Sequence, residues 1–434
     1  MSSPGVEVPI SHRSQASRSA NDMPSATHCP LAVRVLRTLQ ELEQLREPWD
    51  SWCYDPNADL DYYVGSSRFR LGFVRPHVIV VYRGGRPDCL LVGRVESLRL
   101  KLKVGYTSLF QPLVNQLFVV QGGLLGNGSA ENCRLLAREL KLCLRRHEAD
   151  NIEFSRLTQD SLLSQALASE FSFFQRGHCT PLHQHRWLEM PGSFKELLRS
   201  LSRKNRHELR RHEKKLASDY SGRTHIHCYR NEDEVDELAR EAEKISVKTY
   251  QRALGVGFQP DSETLELLRI AARDQALRGC VLYLDETPSA FFIGRQYRDT
   301  FHGTYMGFDP QFSKYSPGLL VLMHSVEECF DPETRATRFD LGWGDRQYKR
   351  VLCNQSVQDG PQYFYAFTHT GLKLNILRSI ASLIDLGGRR LLEKSSLLQR
   401  VKKTWQSWLQ RSSSGHQASS ARPTNGAELA TDGE

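Results

Sequence analysis

The chain has 434 residues, of which 39% are hydrophobic, and its 58 basic and 50 acidic side chains give a net charge of +8. This length predicts two to three domains rather than one, and the low hydrophobic content predicts disordered ends. No stretch approaches the roughly 18 apolar residues that cross a bilayer, which argues against a membrane-spanning protein.

The cysteines and the first residues indicate the compartment. The ten cysteines include no C-x-x-C pair, and the chain starts Met-Ser-Ser-Pro-Gly, without the cationic start and apolar core of a secretory signal. Both features predict buried or free thiols in a reducing compartment. The expected localisation is cytoplasmic, with peripheral contact at the inner face of the membrane left open.

Residues 1–30 lack apolar periodicity and are predicted to be disordered. The first half then alternates strands and helices. Its predicted elements are a strand (31–36), a helix (38–52), three strands (77–82, 89–95, 116–121), a glycine-rich loop (122–128), a helix (130–146), a strand (152–155), a helix (162–171) and an edge or crossover strand (187–190).

The second half begins at Ser193, which forms a capping box with Glu196 and starts a helix that we expect to reach about residue 216. Its further predicted elements are two helices (233–250, 262–277) and a hairpin (279–284, 289–297). The segment that ends at Arg94 resembles the segment that ends at Arg295 in its order of apolar, turn and Gly-Arg residues. A duplicated α/β unit explains this similarity better than the chance recurrence of a hairpin, and two such units would leave a groove between them.

Residues 300–349 carry the most distinctive pattern. A strand within 300–309 is followed by Ser316 as an N-cap, Pro317 at the first helical position and an apolar helix, and a new strand starts near residue 339. The first amides of such a helix attract anions, and a diphosphate is the natural ligand. Gly318 would let it approach the backbone, and Lys314 adds a cation. An ordinary capped crossover helix is the alternative.

The Ser-Pro-Gly before that helix and the later run Asp-Leu-Gly-x-Gly-Asp-x-x-Tyr-Lys resemble the C-terminal signature of the CelD-like acyltransferases. These are GNAT-superfamily proteins related to the FemAB proteins. The resemblance covers residues 194–367 well and 31–189 more faintly. It implies an α/β fold with mixed sheets and two tandem GNAT-like domains, an acyl-CoA donor, an amine acceptor and a role in envelope or exopolysaccharide synthesis.

The resemblance also divides the chain. Residues 31–191 would form a degenerate N-terminal GNAT-like domain that is mainly structural or acceptor-binding, and residues 192–370 the catalytic domain. From the sequence pattern alone, residues 371–411 are expected to form basic amphipathic helices with a break at Gly387 and Gly388, and residues 412–434 a disordered tail. In residues 389–411, apolar and basic side chains are spaced so that they would fall on opposite faces of a helix. This pattern is typical of a helix that lies on an anionic membrane, although packing against the second domain fits the same pattern.

The donor, acyl-CoA and in particular acetyl-CoA, would be held by Lys314, Ser316, Pro317, Gly318 and Leu319. The signature supplies two catalytic candidates beside it. Tyr348 would protonate the leaving thiolate, and Asp345 would accept a proton or orient the amine. The alternative for this pair is structural, with Asp345 as a helix N-cap and Tyr348 packed in the first turn.

Acceptor contacts are expected from the end of a helix before a glycine-rich loop and from the signature itself. These candidates are Glu243, Lys248, Tyr250, Gln251, Asp340, Gly342 and Lys349. Each also fits a solvated surface or, for Asp340, an ordered loop. Cys179, His183 and His185 lack a second ligand pair at zinc-site spacing, so no metal is predicted.

A basic helix over 202–216 could bind nucleic acid, anionic lipid or an anionic acceptor, or simply be solvated; its candidate contacts are Arg203, Lys204, Arg206, Arg210 and Arg211. The leading hypothesis is acyl transfer from acyl-CoA to an amine on a sugar or related envelope precursor, with no DNA partner. One alternative is a FemAB-like transferase that takes its aminoacyl group from tRNA. Another is a non-catalytic adaptor of a membrane-bound polysaccharide synthase.

Overall fold

The computed structural model describes residues 30–394, except 101, 105–106, 179, 181, 250–251, 253–256, 332–333 and 335. The predictions for residues 1–29, for Tyr250 and Gln251, and for the chain beyond residue 394 lie outside the described residues.

The first half builds five strands of the main sheet, a separate two-stranded ribbon (β4 and β5) and five helices among its described residues. Its elements are β1 (Leu31–Leu36), α1 (Leu39–Glu43), α2 (Arg46–Trp52), α3 (Leu60–Ser67), β2 (Phe73–Arg83), β3 (Arg86–Arg99), β4 (Leu102–Val104), β5 (Thr107–Phe110), β6 (Leu113–Gly126), α4 (Ala130–Arg145), β7 (Asn151–Thr158) and α5 (Leu162–Glu170).

The second half repeats the alternation of strands and helices. Its elements are β8 (His183–Glu189), α6 (Phe194–Ser200), α7 (Arg203–Asp219), β9 (Thr224–Tyr229), α8 (Val235–Ser246), α9 (Ser262–Arg273), β10 (Leu277–Leu284), β11 (Thr287–Tyr297), β12 (Thr300–Phe308), α10 (Pro317–Glu328), β13 (Arg338–Trp343), α11 (Gln347–Leu352), β14 (Gln355–Tyr365) and α12 (His369–Lys394).

Twelve strands form one continuous sheet in the order β1-β2-β3-β6-β7-β14-β8-β13-β12-β11-β10-β9. Only β6–β7 and β12–β13 pair in parallel among the described strands. The strand predicted at 187–190 is not an edge strand. It belongs to β8, which lies in the middle of the sheet because it pairs antiparallel with both β13 and β14. The two halves therefore share a sheet.

The repeat that the sequence suggests is present in the strand pairing. The set β2, β3, β6 and β7 has the same order and directions as β10, β11, β12 and β13. Corresponding positions follow from the register: Arg94, Phe118 and Glu153 in the first half match Arg295, His302 and Asp340 in the second. These strands support a duplicated α/β unit.

Apolar cores lie on both faces of the sheet. In the first half, α4 and α5 cover one face and α1 to α3 the other. In the second half, α6, α7 and α10 cover one face, whereas α8 and α9 cover the opposite face. The rings of Phe301 and Phe339 stack with centroids 4.5 Å apart, which packs β12 firmly against β13 where the two strands are paired.

Several helix predictions are wrong in extent. The helix predicted over 38–52 is divided into α1 and α2, and the one predicted over 262–277 ends at Arg273. The helix expected from Ser193 to about residue 216 is divided, because Leu201 is extended and Ser202 caps a new helix by accepting from the Asn205 amide. The break expected at Gly387 and Gly388 does not occur, since α12 continues to Lys394. A glycine costs a helix only about 1 kcal/mol, which flanking helix formers offset. Within the described residues, no helix is both long and apolar enough to cross a membrane.

Candidate functional site

The parallel strands β12 and β13 separate after only three residue pairs. His302 and Asp340 form the last pair, and beyond them β12 continues to Phe308 beside β11 alone. A register irregularity in β12 just past this point bends the strand. Gly303 is required there, because a Cβ atom would lie 2.8 Å from the Phe292 ring. The separation leaves a cleft between two strand ends.

A cavity of about 280 Å³ opens at this separation and is lined by both halves of the chain. Leu267, Leu268 and Ala271 of α9 form part of its apolar wall. Its polar lining includes Asn57, Tyr62, Gln121, Arg156, Thr264, Arg295, His302, Thr304, Tyr305 and Asp340. A second opening of about 380 Å³, beside the corresponding separation of β6 and β7, shares Gln121, Arg156 and Asp340 with the first.

Asp340 belongs to a buried charge network that β8 and β14 complete. The His185 ring lies between two carboxylates, with Nε2 2.7 Å from Asp340 Oδ1 and Nδ1 3.3 Å from Asp359 Oδ2. Burial alone would lower the pKa of His185, but its hydrogen bonds to Asp340 and Asp359 outweigh burial and raise that pKa. Burial alone would raise the pKa of Asp340, but the contact with His185 outweighs burial and lowers that pKa. The two carboxylates therefore favour the protonated form of His185.

Arg156 and Trp343 complete the network around Asp359. Arg156 Nε lies 3.1 Å from Asp359 Oδ2, and the Trp343 indole donates to Asp359 Oδ1 at 2.5 Å. The Arg156 guanidinium also lies over the Trp343 ring, 5.1 Å from its centroid. When His185 is protonated, two cations balance two carboxylates, which limits the cost of burying the four charges.

His302 faces this network from β12 and lines the cavity. Its Nδ1 lies 3.8 Å from Asp340 Oδ2, and its Nε2 is buried without a hydrogen-bond partner among the described residues. Burial lowers the pKa of His302, although Asp340 opposes this effect. A neutral imidazole at neutral pH can accept a proton, and a buried polar atom without a partner at a cavity wall indicates a place for a ligand.

Arg295 connects this site to the first half. Its guanidinium lies over the Tyr62 ring at 4.1 Å and donates to Asn57 Oδ1 at 3.1 Å. Asn57 precedes α3, and Tyr62 belongs to it. The cavity wall therefore depends on contact between the halves. The guanidinium provides a positively charged group for the polar or anionic part of a ligand.

The predicted donor residues lie at the start of α10. Ser316 is at the N-cap position with a left-handed φ of 51°, but its side chain makes no capping bond and instead contacts His212 Nε2 at 3.3 Å. Pro317 and Gly318 are buried, and the Phe308 ring covers Gly318. Because the Phe308 side chain is 39% exposed, movement of this ring would open an approach to the first helical amides.

The remaining donor candidates differ in exposure. Lys314 is exposed and lies 3.7 Å from Asp219, while its ammonium contacts the Tyr315 ring at 4.6 Å. Leu319 is half-buried and packs against the core beneath α10. Lys314 is thus placed to meet an anion at the surface, whereas Leu319 contributes packing.

The predicted catalytic pair does not line the cavity. Asp345 accepts from Arg350 Nε at 2.7 Å and from Arg186 Nε at 3.0 Å, and these guanidinium groups, Arg350 first, lower its pKa. A carboxylate with a lowered pKa is a weak proton acceptor. Tyr348 is half-buried and packs against the core under α10.

Lys349 anchors the end of β13. Its buried ammonium donates at 2.5 Å to the carbonyl oxygens of both Leu341 and Trp343 and at 3.3 Å to that of Gly342. Burial lowers the pKa of Lys349 to about 8. This side chain fixes the strand end at which Gly342 adopts a φ of 66°.

The other acceptor candidates among the described residues fall into two groups. Asp340 and Gly342 line the cavity. Glu243 instead pairs with Arg252 at 2.9 Å, and Lys248 pairs at 2.6 Å with Asp309, a buried residue in the loop before α10. These two side chains stabilise loops away from the cavity.

Sequence reasoning missed His302, Arg156, Arg295 and the role of His185. One signal was available: the similarity between the segments ending at Arg94 and Arg295 places Arg295 at a repeated position. No comparable signal marks His185 or Asp359, because they enter the site on strands outside the repeat.

The chain is similar to several known proteins. Residues 203–350 match the family described as "Acetyltransferase (GNAT) domain". A comparison with curated proteins gives no match. Among solved structures, FemX matches with 13% sequence identity and a TM-score of 0.51, over 77% of this chain and 97% of its own. A tandem GNAT protein from the clavulanic acid biosynthesis pathway matches with 12% identity and a TM-score of 0.48, over 78% of this chain and 99% of its own.

The chain therefore has a mixed α/β sheet fold with GNAT-like domains, and residues 203–350 of its second half are similar to the GNAT acetyltransferase domain. The predicted fold class is confirmed. The CelD-like branch, the site residues and the domain boundaries stay predictions.

His185→Gln tests the charge network through the pH dependence of stability. Because the pKa of His185 is raised above its ordinary value of 6.5, the protonated histidine contributes stability that is fully present below about pH 6.5 and is lost as the pH rises through the folded-state pKa. The difference in unfolding free energy between wild type and variant should therefore be largest near pH 6 and shrink toward pH 9. Urea unfolding at each pH measures it, with exposed His369→Gln as the control. A difference that does not vary with pH would contradict an imidazolium at His185.

Proposed function

We propose that this protein transfers an acyl group, in particular acetyl, from acyl-CoA to an amine on a sugar or envelope-polysaccharide precursor. The observation that carries the proposal is the pair His302 and Asp340 at the point where β12 and β13 separate. A proton acceptor, a strand edge and a polar cavity meet there.

The chemistry assigns a task to each part. The amine nitrogen attacks the thioester carbonyl, the nitrogen loses a proton, and the thiolate leaves and takes up a proton. His302 accepts the proton, and Asp340 stabilises the imidazolium that forms. Between Gly303 and Phe308, β12 offers its free side to the extended amide groups of the donor. Alignment of the reactants can supply about 7–11 kcal/mol of the barrier, and the base about 10²–10⁴-fold in rate.

The cavity lining favours a hydroxylated acceptor. Amide, hydroxyl and guanidinium groups line much of its wall, and the side chains of α9 provide an apolar surface opposite. Sugars present hydroxyl groups at their edges and apolar ring faces, which suits this combination. Arg295 and Arg156 favour an acceptor that also carries a negative charge.

For the donor, we propose that the diphosphate binds at the start of α10. The helix N-terminus attracts anions and Lys314 provides an exposed cation beside it. The Phe308 ring has to move from Gly318 for this contact to form. Ser316 and Pro317 hold the loop that positions the helix start.

His302→Gln separates catalysis from binding. We expect kcat for acetyl transfer to fall by about 10²–10⁴-fold, because the neutral base is lost, while the Kd for acetyl-CoA changes little. The measurement is single-turnover transfer to an amino-sugar panel, together with calorimetric titration of acetyl-CoA.

Asp345→Asn is the matched comparison. Because Asp345 forms exposed ion pairs, its loss should change kcat by less than about threefold. If instead Asp345→Asn is inactive and His302→Gln retains kcat, the catalytic assignment would move to Asp345 and Tyr348.

A second candidate function is aminoacyl transfer from charged tRNA. Its support is the exposed basic surface of α7, on which Arg203, Lys204, Arg210 and Arg211 face solvent; Arg206 instead donates to the carbonyl oxygens of Arg199 and Leu201. The likeness to FemX concerns the fold alone. A non-catalytic adaptor of a polysaccharide synthase would bind neither donor.

Thermal unfolding with each donor distinguishes these functions. At 100 times its Kd, acetyl-CoA should add about 2.7 kcal/mol to the unfolding free energy, whereas tRNA should add none. Lys314→Glu should weaken acetyl-CoA binding by about tenfold or more, because a charge-assisted contact is lost. Lys195→Glu, also exposed but on α6, is the control. Stabilisation by tRNA that disappears in Arg210→Glu/Arg211→Glu would support aminoacyl transfer instead; no response to either ligand would support the adaptor.

We also propose peripheral membrane contact through α12 and residues 389–411. Four apolar side chains on α12 follow the spacing of a single helix face and remain exposed: Ile376 (60%), Ile380 (49%), Leu383 (56%) and Ile384 (51%). An exposed apolar helix face that leads into a basic segment is typical of helices at an anionic membrane surface.

Flotation with vesicles tests this contact. The full chain should float with vesicles that contain anionic lipid, and Ile380→Glu/Leu383→Glu should lose most of the floated fraction, because charged groups would enter the apolar boundary. Leu162→Glu, at a similarly exposed leucine on α5, should float like wild type. Equal flotation of all three proteins would exclude α12 as the contact.

A further inference from the structure

Four side chains with metal-binding groups converge at the outer edge of the second half. Cys228 of β9 and Cys280 of β10 lie directly opposite each other in the strand register. His324 and Glu328 are four residues apart on α10, which places them on one face of the helix. The ligand atoms of all four residues lie within 4.8 Å of one another. We call these residues the thiol cluster.

The distances in the thiol cluster are those of a compact group. The two Sγ atoms are 2.6 Å apart, Cys228 Sγ lies 3.6 Å from His324 Nε2, and Cys280 Sγ lies 3.5 Å from Glu328 Oε2. Two sulfurs, one imidazole nitrogen and one carboxylate oxygen are all groups that bind Zn²⁺, and four is the number of ligands in a structural zinc site. With Zn–S bonds of about 2.3 Å, tetrahedral geometry sets the sulfurs about 3.7 Å apart, so the thiols separate by about 1 Å on binding.

We propose that the thiol cluster binds one Zn²⁺ ion through Cys228, Cys280, His324 and Glu328. Both thiols lose their protons on binding, so the ligands carry three negative charges against the two positive charges of the ion. Arg230 supplies the remaining positive charge, because its Nη2 lies 2.9 Å from Glu328 Oε1. That contact holds one carboxylate oxygen and leaves Oε2 toward the cluster.

The ion has a route into the cluster from the surface. His324 lines a groove of about 480 Å³ between α7 and β9, in which Glu213 and Glu327 add negative charge. Cys228 and His324 are half-buried rather than fully enclosed.

A second group of similar residues does not fit an ion. His77, Cys143 and Glu148 are also close together, but Arg37 and Arg75 both pair with Glu148, at 2.9 and 2.6 Å. Two guanidinium groups beside the carboxylate repel a cation. In the thiol cluster the single contact from Arg230 leaves an excess of negative charge once the thiols are deprotonated.

The proposed ion would fasten the edge strand β9 and the neighbouring β10 to α10. An edge strand has a neighbour on one side only and is open to fraying or to pairing with another chain. A metal bond to a helix that crosses the sheet prevents both. This role is structural and does not depend on acyl transfer.

The test uses the full reduced chain, stripped of metal with a chelator and then titrated with Co²⁺ and Zn²⁺. We expect one Co²⁺ per chain with a thiolate-to-cobalt charge-transfer absorption, displacement of Co²⁺ by Zn²⁺, and a higher Tm with Zn²⁺. Cys228→Ser and His324→Gln should each weaken Zn²⁺ binding by more than about tenfold. Cys353→Ser, at a half-buried thiol in the same half, should bind like wild type.

Three outcomes would overturn the proposal. The first is that the folded wild type binds no stoichiometric metal, and the second is that His324→Gln binds Zn²⁺ as tightly as wild type. The third is that an added oxidant, which takes up two hydrogens, joins Cys228 and Cys280 in a disulfide at the same rate with and without Zn²⁺. Far-UV circular dichroism of each variant shows that it is folded, so loss of binding cannot be attributed to unfolding.

Discussion

The separation of two parallel strands is the constraint on which the rest of this site depends. Paired as far as His302 and Asp340, β12 and β13 expose backbone edges beyond that point, and unpaired edges in a protein interior are costly. The sequence offsets this cost locally. Gly303 allows the bend in β12, and the Lys349 ammonium binds three carbonyl oxygens at the end of β13. The cleft is therefore built into the fold before any ligand binds.

The duplicated halves have the same framework but different chemistry at its centre. Where the second half has His302 beside Asp340, the first half has Phe118 beside Glu153. Burial raises the pKa of Glu153, and Arg94 stacks over Phe118 at 4.3 Å. A carboxyl group without an imidazole at the corresponding position lacks the base that the second half has. Under the proposed function, this difference is the physical reason to place catalysis in the second half and acceptor contacts in the first.

Local signals predicted much of the fold, since hairpins, helix starts and the apolar helix of α10 are encoded by neighbouring residues. The candidate site was less accessible to the same reasoning. The signature predicts Asp340 and Gly342 as site residues. However, Asp340 lies 155 positions from His185 in the chain, and Asp359 lies 174 positions from His185. No periodicity encodes such a contact. Asp345 and Tyr348 were attractive because they belong to a recognisable motif, yet their side chains contact surface arginines and core.

The interleaving of β8 and β14 explains why the site requires the whole chain. Each half could form its own repeat of strands, but His185 and Asp359 reach Asp340 only because these two strands fill the space between the repeats. Burial is the main cause of the lowered pKa of His302, Asp340 opposes it, and Arg295 and Arg156 add to it. A positive charge on His302 is therefore disfavoured in the absence of a ligand. Under the proposed function, His302 would stay neutral until it accepts a proton from the substrate, and the nearby Asp340 carboxylate would then stabilise the new charge.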